Sequence, residues 1–170
     1  MTGALPLERE PQRERDPLPL LLLGVDHRTA PVGVREKLAV PEARLPESVR
    51  ALMEIDGLTG ACVLSTCNRV ELILSGDAER VRDEAVRWLA ARGGVGPDEL
   101  AEHLYEFRGA AAVEHLCRVA SGLESMIVGE PQIAGQVKKA FAASREAGAL
   151  DALLHRVAEQ AMRVAKKIRS

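Results

Sequence analysis

A thiol, a hydroxyl, an amide and a guanidinium follow one another in the stretch Ser65-Thr66-Cys67-Asn68-Arg69. The flanking runs at 61–64 and 70–74 are rich in Val, Ile and Leu, which is typical of short strands. The stretch is therefore predicted to join two strands and to present its polar groups at one edge of a sheet. Because a nearby positive charge favours the thiolate, Cys67 beside Arg69 could serve acyl transfer.

The same stretch has a second interpretation, a buried, unreactive cysteine beside a surface arginine, since free cysteine is among the most buried residue types. The three cysteines, Cys62, Cys67 and Cys117, lack the spacing of a metal site and leave an odd thiol if two of them pair. No metal ligands are therefore predicted. Without a secretory signal, reduced thiols and a cytoplasmic location are expected.

Composition limits the function classes. The 170 residues suit one domain of ordinary size, and the formal net charge of −2 provides no global basic field for nucleic acid. With an aromatic fraction of 2%, stacking platforms for single-stranded bases are not expected, so any RNA contact should be local. The apolar run at 18–25 is too short to cross a bilayer and is predicted to be a buried strand, so no membrane contact is expected.

Hydrophobic periodicity and turn residues predict the elements that would position the polar stretch. Residues 1–17, with three prolines and many charges, are expected to form a mobile leader. Strands are expected at about 18–25, 61–64, 70–74 and 104–107, and helices at about 32–38, 45–53, 78–91, 97–103, 110–121, between Gly129 and Gly148, and at 150–168.

Four short strands among helices, with hairpin-like links, predict an α+β fold. We expect a mainly antiparallel four-stranded sheet of the ferredoxin-like kind, with helices on one face and an additional C-terminal helix. The main domain would span 18–149. The amphipathic segment 150–170 either covers the core of this domain or begins a longer connecting helix.

A second polar stretch lies at 121–136, on a predicted loop and the start of a helix. Pro131 suits the first helical turn, and Glu130 suits the positive end of the helix dipole. A capped helix with glycine turns would explain these two residues. Only a polar wall facing a cleft would also explain Glu124, Ser125, Gln132 and Gln136.

His115 is the histidine most relevant to this cleft, because it lies on the helix that precedes the second polar stretch. It flanks the predicted inward face of that helix, so it could point toward the cleft. The alternative is a partly exposed filler without a role. His27 is expected to make local loop hydrogen bonds, and His103 and His155 are treated as surface residues.

Three motifs together resemble the glutamyl-tRNA reductase family: residues 24–32 (GVDHRTAPV), residues 65–72 (STCNRVEL), and residues 120–126 (ASGLESM) continuing to 135–138 (GQVK). The likeness runs in order from about Leu20 to Arg169. It implies an NADPH-dependent oxidoreductase that converts glutamyl-tRNA to glutamate-1-semialdehyde, the entry to tetrapyrrole and porphyrin biosynthesis.

The resemblance also implies roles by position. Cys67 corresponds to the nucleophile that takes glutamate from tRNA as a thioester, and His115 to a histidine needed for activity. Arg69 is assigned to the free side-chain carboxylate of the substrate, because a planar guanidinium binds a carboxylate bidentately. An acidic wall would suit the α-ammonium. The implied substrate-binding residues are Thr66, Asn68, Arg69, Ser125, Glu130, Pro131, Gln132 and Gln136.

The family's full chain continues into an NADPH-binding Rossmann domain and a helical dimerisation domain. No Gly-x-Gly-x-x-Gly follows a strand here, so these 170 residues are expected to be the catalytic domain and the start of the connecting (spinal) helix. Glutamyl-tRNA, the downstream aminomutase and, in a full-length homodimer, a second copy are the implied partners. A non-catalytic module that docks tRNA or the aminomutase and a generic cysteine hydrolase remain as alternatives.

Overall fold

The structure is a computed structural model that describes residues 18–170, so the predicted leader at 1–17 lies outside the described residues. The described part forms four strands and seven helices. The strands are β1 (Leu20–Asp26), β2 (Leu58–Ser65), β3 (Arg69–Gly76) and β4 (Tyr105–Arg108). The helices are α1 (Val32–Leu38), α2 (Leu45–Leu52), α3 (Ala78–Gly93), α4 (Pro97–His103), α5 (Ala110–Ala120), α6 (Gln132–Glu146) and α7 (Ala152–Arg169).

The four strands form one sheet in the order β2-β3-β1-β4, and each neighbouring pair is antiparallel. Along the chain, α1 and α2 lie between β1 and β2, while α3 and α4 lie between β3 and β4. This is the β-α-β-β-α-β arrangement of ferredoxin-like folds. The predicted α+β class and four-stranded antiparallel sheet are confirmed.

Helices cover both faces of the sheet, so the expectation of helices on one face was wrong. Leu21 and Leu23 of β1 pack in a core with α1 to α4, whereas Leu20 and Leu22 pack in a second core with α5 to α7. Since successive side chains of a strand point to opposite faces, the continuous leucine run of β1 requires cover on both sides.

Helix α7 covers the domain's own core, which confirms one of the two interpretations of the C-terminal segment. Leu154 and Val157 are buried against α5 and α6. At the start of the helix, the Asp151 carboxylate accepts a hydrogen bond from the Leu154 N–H at 2.8 Å and one from the Ser75 hydroxyl at 2.6 Å. Asp151 therefore caps α7 and fixes it to β3. That this helix begins a longer connecting helix stays a prediction.

The register of the sheet brings two loops together at one end of the strands. Asp26, at the end of β1, pairs with Arg69, at the start of β3, so the β1–α1 loop lies beside the turn between β2 and β3. None of the described helices has the length and apolarity needed to span a membrane.

Candidate functional site

The predicted polar stretch is a tight turn between β2 and β3. The Thr66 N–H donates to the Arg69 carbonyl at 2.9 Å, and the Thr66 hydroxyl oxygen accepts from the N–H groups of Asn68 and Arg69, each at 3.2 Å. A threonine side chain that satisfies backbone donors in this way stabilises a turn. Thr66 thus shapes the turn that carries Cys67.

Cys67 is exposed, and Arg69 is only 2% exposed. The interpretation of a buried cysteine beside a surface arginine was therefore wrong for both residues. The Cys67 carbonyl accepts a hydrogen bond from Arg35 of α1 at 3.0 Å, and the same guanidinium donates to the Ala30 carbonyl at 3.1 Å. Arg35 therefore ties the backbone at Cys67 to the first helix.

The other two cysteines are less suited to nucleophilic chemistry. Cys62 is fully buried in β2, and burial raises the pKa of its thiol well above the ordinary value. Burial, followed by the nearby Glu114 carboxylate, also raises the pKa of Cys117. Among the three thiols, Cys67 is the one that combines exposure with a position at the sheet edge.

The guanidinium of Arg69 is directed into the domain. It donates to the Glu124 carbonyl at 2.7 Å and to the Tyr105 hydroxyl at 3.4 Å. The carboxylates of Glu71 and Asp26 lie 3.5 Å and 3.9 Å from it. Arg69 therefore already balances two negative charges inside the protein and joins the Cys67 turn to the segment that follows α5.

Glu124 connects that segment to the rest of the site. Its carboxylate pairs with Arg28 of the β1–α1 loop and accepts from Arg118 of α5 at 2.7 Å. Burial alone would raise the pKa of Glu124, but the hydrogen bonds from Arg118 and Arg28 lower it below its ordinary value. The carboxylate thus stays ionised and holds the β1–α1 loop, α5 and the second polar stretch together.

Several predicted substrate-binding side chains have no partner in the described part of the protein. Within residues 18–170, no hydrogen bond or ion pair uses the side chains of Asn68, Ser125, Glu130, Gln132 and Gln136. Of these, Gln132 is exposed and the other four are half-buried. Unpaired amide, hydroxyl and carboxylate groups at the edge of a domain are available to a polar ligand.

Pro131 differs slightly from its predicted place, since it caps α6 and the helix begins at Gln132. The carbonyls of Glu130 and Pro131 accept hydrogen bonds from Arg169 at 2.9 Å and 3.0 Å. The end of α7 therefore holds the start of α6 in position.

His115 faces the sheet from α5 and is 7% exposed, so it is not a surface filler. Its Nε2 lies 2.5 Å from Oε2 of Glu71, which also accepts from the Tyr105 hydroxyl at 2.6 Å. The imidazole stacks on Phe107, with ring centroids 4.4 Å apart. His115 also lines a cleft of about 370 Å³, together with Arg28 and Glu124.

Glu71 is completely buried. Burial alone would raise the pKa of its carboxyl, but the hydrogen bond from His115 and the charge of Arg69 lower the pKa below its ordinary value. An ionised carboxylate without exposure is costly unless charged and polar groups surround it. Glu71 is therefore the centre of a buried polar cluster.

Sequence reasoning gave no role to four residues that build this site: Asp26, Arg35, Glu71 and Tyr105. Arg69, Glu71 and Ile73 are two residues apart along β3 and therefore lie on the same face of the sheet, and Ile73 belongs to the second core. This shared face would have indicated that Arg69 and Glu71 are buried, had helices been expected on that side of the sheet.

Two histidines also differ from expectation. His103 is half-buried, with Nδ1 3.0 Å from the Thr29 carbonyl oxygen. The Nδ1 atom of His27 is buried and has no hydrogen-bond partner among residues 18–170, so the expected loop hydrogen bond is absent there.

The arrangement limits the alternatives. Across residues 18–170, no cluster of His, Cys, Asp or Glu is arranged to hold a metal ion. Nor does a described histidine hydrogen-bond to the Cys67 thiol, as a generic cysteine hydrolase would require. Rossmann-type dinucleotide sites are built on parallel βαβ units. The wholly antiparallel sheet of the described residues therefore does not fit a Rossmann-type NADPH site, and hydride transfer is assigned to none of them.

Comparisons with known proteins show which family the chain resembles. A sequence model described as "Glutamyl-tRNAGlu reductase, N-terminal domain" matches residues 23–170. Glutamyl-tRNA reductase 2 of Koribacter versatilis (strain Ellin345) is 43% identical over 152 residues, 88% of this chain and 34% of the relative. Glutamyl-tRNA reductase of Marinobacter nauticus is 44% identical over 151 residues, 89% of this chain and 35% of the relative.

A solved structure, glutamyl-tRNA reductase from Methanopyrus kandleri, is similar with a TM-score of 0.74 and 37% identity, over 89% of this chain and 34% of that one. The chain therefore spans about a third of the length of these relatives. On these matches, the chain belongs to the glutamyl-tRNA reductase N-terminal domain family.

Proposed function

We propose that this chain performs the acyl-transfer step of a glutamyl-tRNA reductase, with Cys67 as the nucleophile. The observation that carries the proposal is an exposed thiol, held on a rigid turn, at the edge of the sheet. The second polar stretch is joined to the same turn through the hydrogen bond between Arg69 and the Glu124 carbonyl.

In this step the Cys67 sulfur attacks the carbonyl carbon of the glutamyl ester. A carbon–sulfur bond forms, the bond to the ribose oxygen of the tRNA breaks, and that oxygen takes up the proton that the thiol has lost. The product is a glutamyl thioester on the enzyme. Because a thioester lacks the resonance stabilisation of an ester, its carbonyl is more easily attacked by the next reactant.

The unpaired polar side chains would bind the glutamyl group. Glu130 has no cation partner among the described residues and would suit the α-ammonium of the substrate. Asn68, Ser125, Gln132 and Gln136 would donate or accept hydrogen bonds around it. Pro131 would set the direction of the α6 start, and Thr66 the shape of the Cys67 turn.

Reduction of the thioester by NADPH to glutamate-1-semialdehyde would complete the reaction in tetrapyrrole biosynthesis. We assign neither NADPH binding nor this reduction to the described residues. A cytoplasmic location suits the proposal, since cytosolic reductants keep a nucleophilic thiol reduced. Glutamyl-tRNA as substrate, the aminomutase as partner and a homodimer of the full-length enzyme belong to the same proposal.

Labelled glutamyl-tRNA tests the acyl-transfer step. On incubation with the 170-residue chain, label should become attached to the protein in a form released by hydroxylamine, and free glutamate should accumulate slowly as water hydrolyses the thioester. Cys67→Ser should abolish both signals, whereas Cys117→Ser should retain them. Attachment of label to the Cys67→Ser variant, or semialdehyde formation by this chain with NADPH, would contradict the proposal.

A non-catalytic docking module remains the second candidate, because Met126, Ile127 and Val128 form an exposed apolar tip on the segment between α5 and α6. Thiol reactivity separates the two functions. An enzyme should show rapid alkylation of Cys67 and slow alkylation of Cys62 and Cys117, measured by mass spectrometry of peptides after a short iodoacetamide pulse. Equally slow alkylation of all three cysteines would favour the docking module.

A further inference from the structure

The buried carboxylate of Glu71 lies where it can control His115. Its Oε2 receives two hydrogen bonds, from Nε2 of His115 at 2.5 Å and from the Tyr105 hydroxyl at 2.6 Å. The Arg69 guanidinium lies 3.5 Å from Oε1, which has no hydrogen-bond partner among residues 18–170. Three groups from β3, β4 and α5 thus converge on one carboxylate.

The sheet is built to allow this convergence. Gly24 of β1 pairs with Glu71 on one side and with Tyr105 on the other. A Cβ at position 24 would lie 2.8 Å from the Glu71 Cγ and 2.9 Å from the Tyr105 hydroxyl. Because Gly24 has no side chain, the Tyr105 hydroxyl of β4 can reach across β1 and donate a hydrogen bond to Glu71 of β3.

The charge state of Glu71 determines which nitrogen of His115 carries a proton. Because the pKa of Glu71 lies below its ordinary value, the carboxylate is ionised at neutral pH and can only accept hydrogen bonds. The proton between Glu71 and His115 must then belong to Nε2. Nε2 is held by Glu71, Nδ1 forms no hydrogen bond with any described residue, and His115 lines the cleft, which leaves Nδ1 as the ring nitrogen for a ligand there.

We propose that Glu71 is a positioning residue that holds His115 in the Nε2–H tautomer, so that Nδ1 faces the substrate. This inference rests on the proposed function. During acyl transfer the thiol loses a proton and the departing ribose oxygen gains one. The thiol releases its proton to solvent in the cleft, and Nδ1 takes up a proton there and gives it to the departing oxygen. The Glu71 carboxylate stabilises the imidazolium that exists in between. The Phe107 ring, stacked on the imidazole, keeps its plane fixed.

Nitrogen-15 NMR of the histidine-labelled chain tests the tautomer directly and without any activity measurement. Nε2 of His115 should carry a proton at every pH at which the protein is folded, and Nδ1 should be the nitrogen whose protonation changes. A bare Nε2 in the folded wild-type protein would overturn the proposal, and this result does not depend on whether Cys67 forms a thioester.

Glu71→Gln tests the consequence for the reaction. Its neutral amide should allow both tautomers, with a mixed His115 spectrum and a rate of thioester formation lower by roughly 10- to 100-fold. The matched control is Glu106→Gln on β4, whose side chain pairs with Arg82 and Arg108 at the surface and should leave spectrum and rate unchanged. A Glu71→Gln protein that folds and keeps the wild-type tautomer and rate would contradict the proposal. Loss of thioester formation in the wild type would contradict the proposed function instead.

Discussion

Arg69 has two candidate roles, which depend on what its guanidinium contacts in the complex with substrate. The resemblance assigns it to the side-chain carboxylate of glutamate. In the structure it lies between the carboxylates of Asp26 and Glu71 and donates to the Glu124 carbonyl. A third carboxylate can bind there only if the guanidinium releases one of these partners.

Arg69→Lys separates the two roles. Lysine keeps the positive charge but loses the planar guanidinium that binds a carboxylate through two hydrogen bonds. Since one charge-assisted hydrogen bond is worth about 1.5–3 kcal/mol, the rate of thioester formation should fall at least roughly tenfold. If Arg69 binds the side-chain carboxylate, the variant should also lose its preference for glutamyl-tRNA over glutaminyl-tRNA. The measurement is the rate of thioester formation with both esters.

Two outcomes would decide against the carboxylate role. An unchanged rate would exclude it, and an equal loss with both esters, together with a lower melting temperature, would show that Arg69 acts by holding the turn. Arg80→Lys is the control, since Arg80 forms an exposed ion pair with Asp56 at the opposite end of strands β2 and β3 from the turn.

At the scale of single residues, the sequence was informative about the loop position of Cys67 but did not indicate that Arg69 is buried. The turn residues around Cys67 are a local signal, and they place the thiol at a loop. The burial of Arg69 is a long-range effect, because it depends on the pairing of β3 with β1, which sets Asp26 opposite it. Local composition carries no information about that register.

At the scale of elements, Gly24 makes β1 the strand that the polar cluster depends on. Leu20 and Leu22 on the same face of β1 contact the second core, whereas Gly24 leaves room between Glu71 and Tyr105. A glycine within a strand weakens it in general, so its presence here points to a close approach of other groups.

Gly24→Ala should therefore damage function more than it damages the fold. The added methyl group would push Glu71 and the Tyr105 hydroxyl apart, at a cost of about 1–3 kcal/mol in the free energy of unfolding. Thioester formation should fall further than this destabilisation explains, because His115 loses its fixed partner. Urea unfolding and single-turnover rates measure the two effects.

Gly33→Ala is the matched control, because nothing lies within 4 Å of the Cβ that it adds to α1. It should raise the free energy of unfolding by about 0.5–1 kcal/mol and leave the rate unchanged. A Gly24→Ala variant with normal rates would indicate that the spacing between Glu71 and Tyr105 is unimportant.

The sequence predicted which segments form helices and strands, but it did not predict which helices pack on which face of the sheet. The helical and alternating periods located all four strands and seven helices, with ends that shifted by a few residues. The leucine run of β1 pointed to a strand buried on both faces. Its significance was missed because α5 to α7 were not assigned to a face of the sheet.

At the scale of the whole molecule, ionised carboxylates are buried beside the apolar side chains of the second core. Asp26 and Glu71 are almost fully buried, and Glu124 lies beside them. Burial alone would raise the pKa of Asp26, but hydrogen bonds from Arg28 and the charge of Arg69 lower it below the ordinary value. The pKa values of Glu71 and Glu124 are lowered as well.

These shifts predict that the fold loses stability in acid. Each carboxyl has a lower pKa in the folded chain than the ordinary values of 3.8 for Asp and 4.5 for Glu that apply to the unfolded chain. The unfolded state therefore binds more protons as pH falls. The stabilisation is complete above about pH 4.5 and is lost as pH falls through the lowered pKa values, by up to about 1.4 kcal/mol per pH unit for each carboxyl.

Urea unfolding between pH 7 and pH 3 measures this loss, and Asp26→Asn identifies one contributor. The amide oxygen can still accept from the Arg28 and Thr29 N–H groups, so the turn after β1 should persist. The variant should be less stable than the wild type at pH 7 and should lose less stability on acidification. Asp83→Asn, which removes an exposed carboxyl on α3, is the control. Parallel pH profiles for wild type and Asp26→Asn would mean that the ionised state of Asp26 adds nothing to stability, and the acid sensitivity would then come from Glu71 and Glu124.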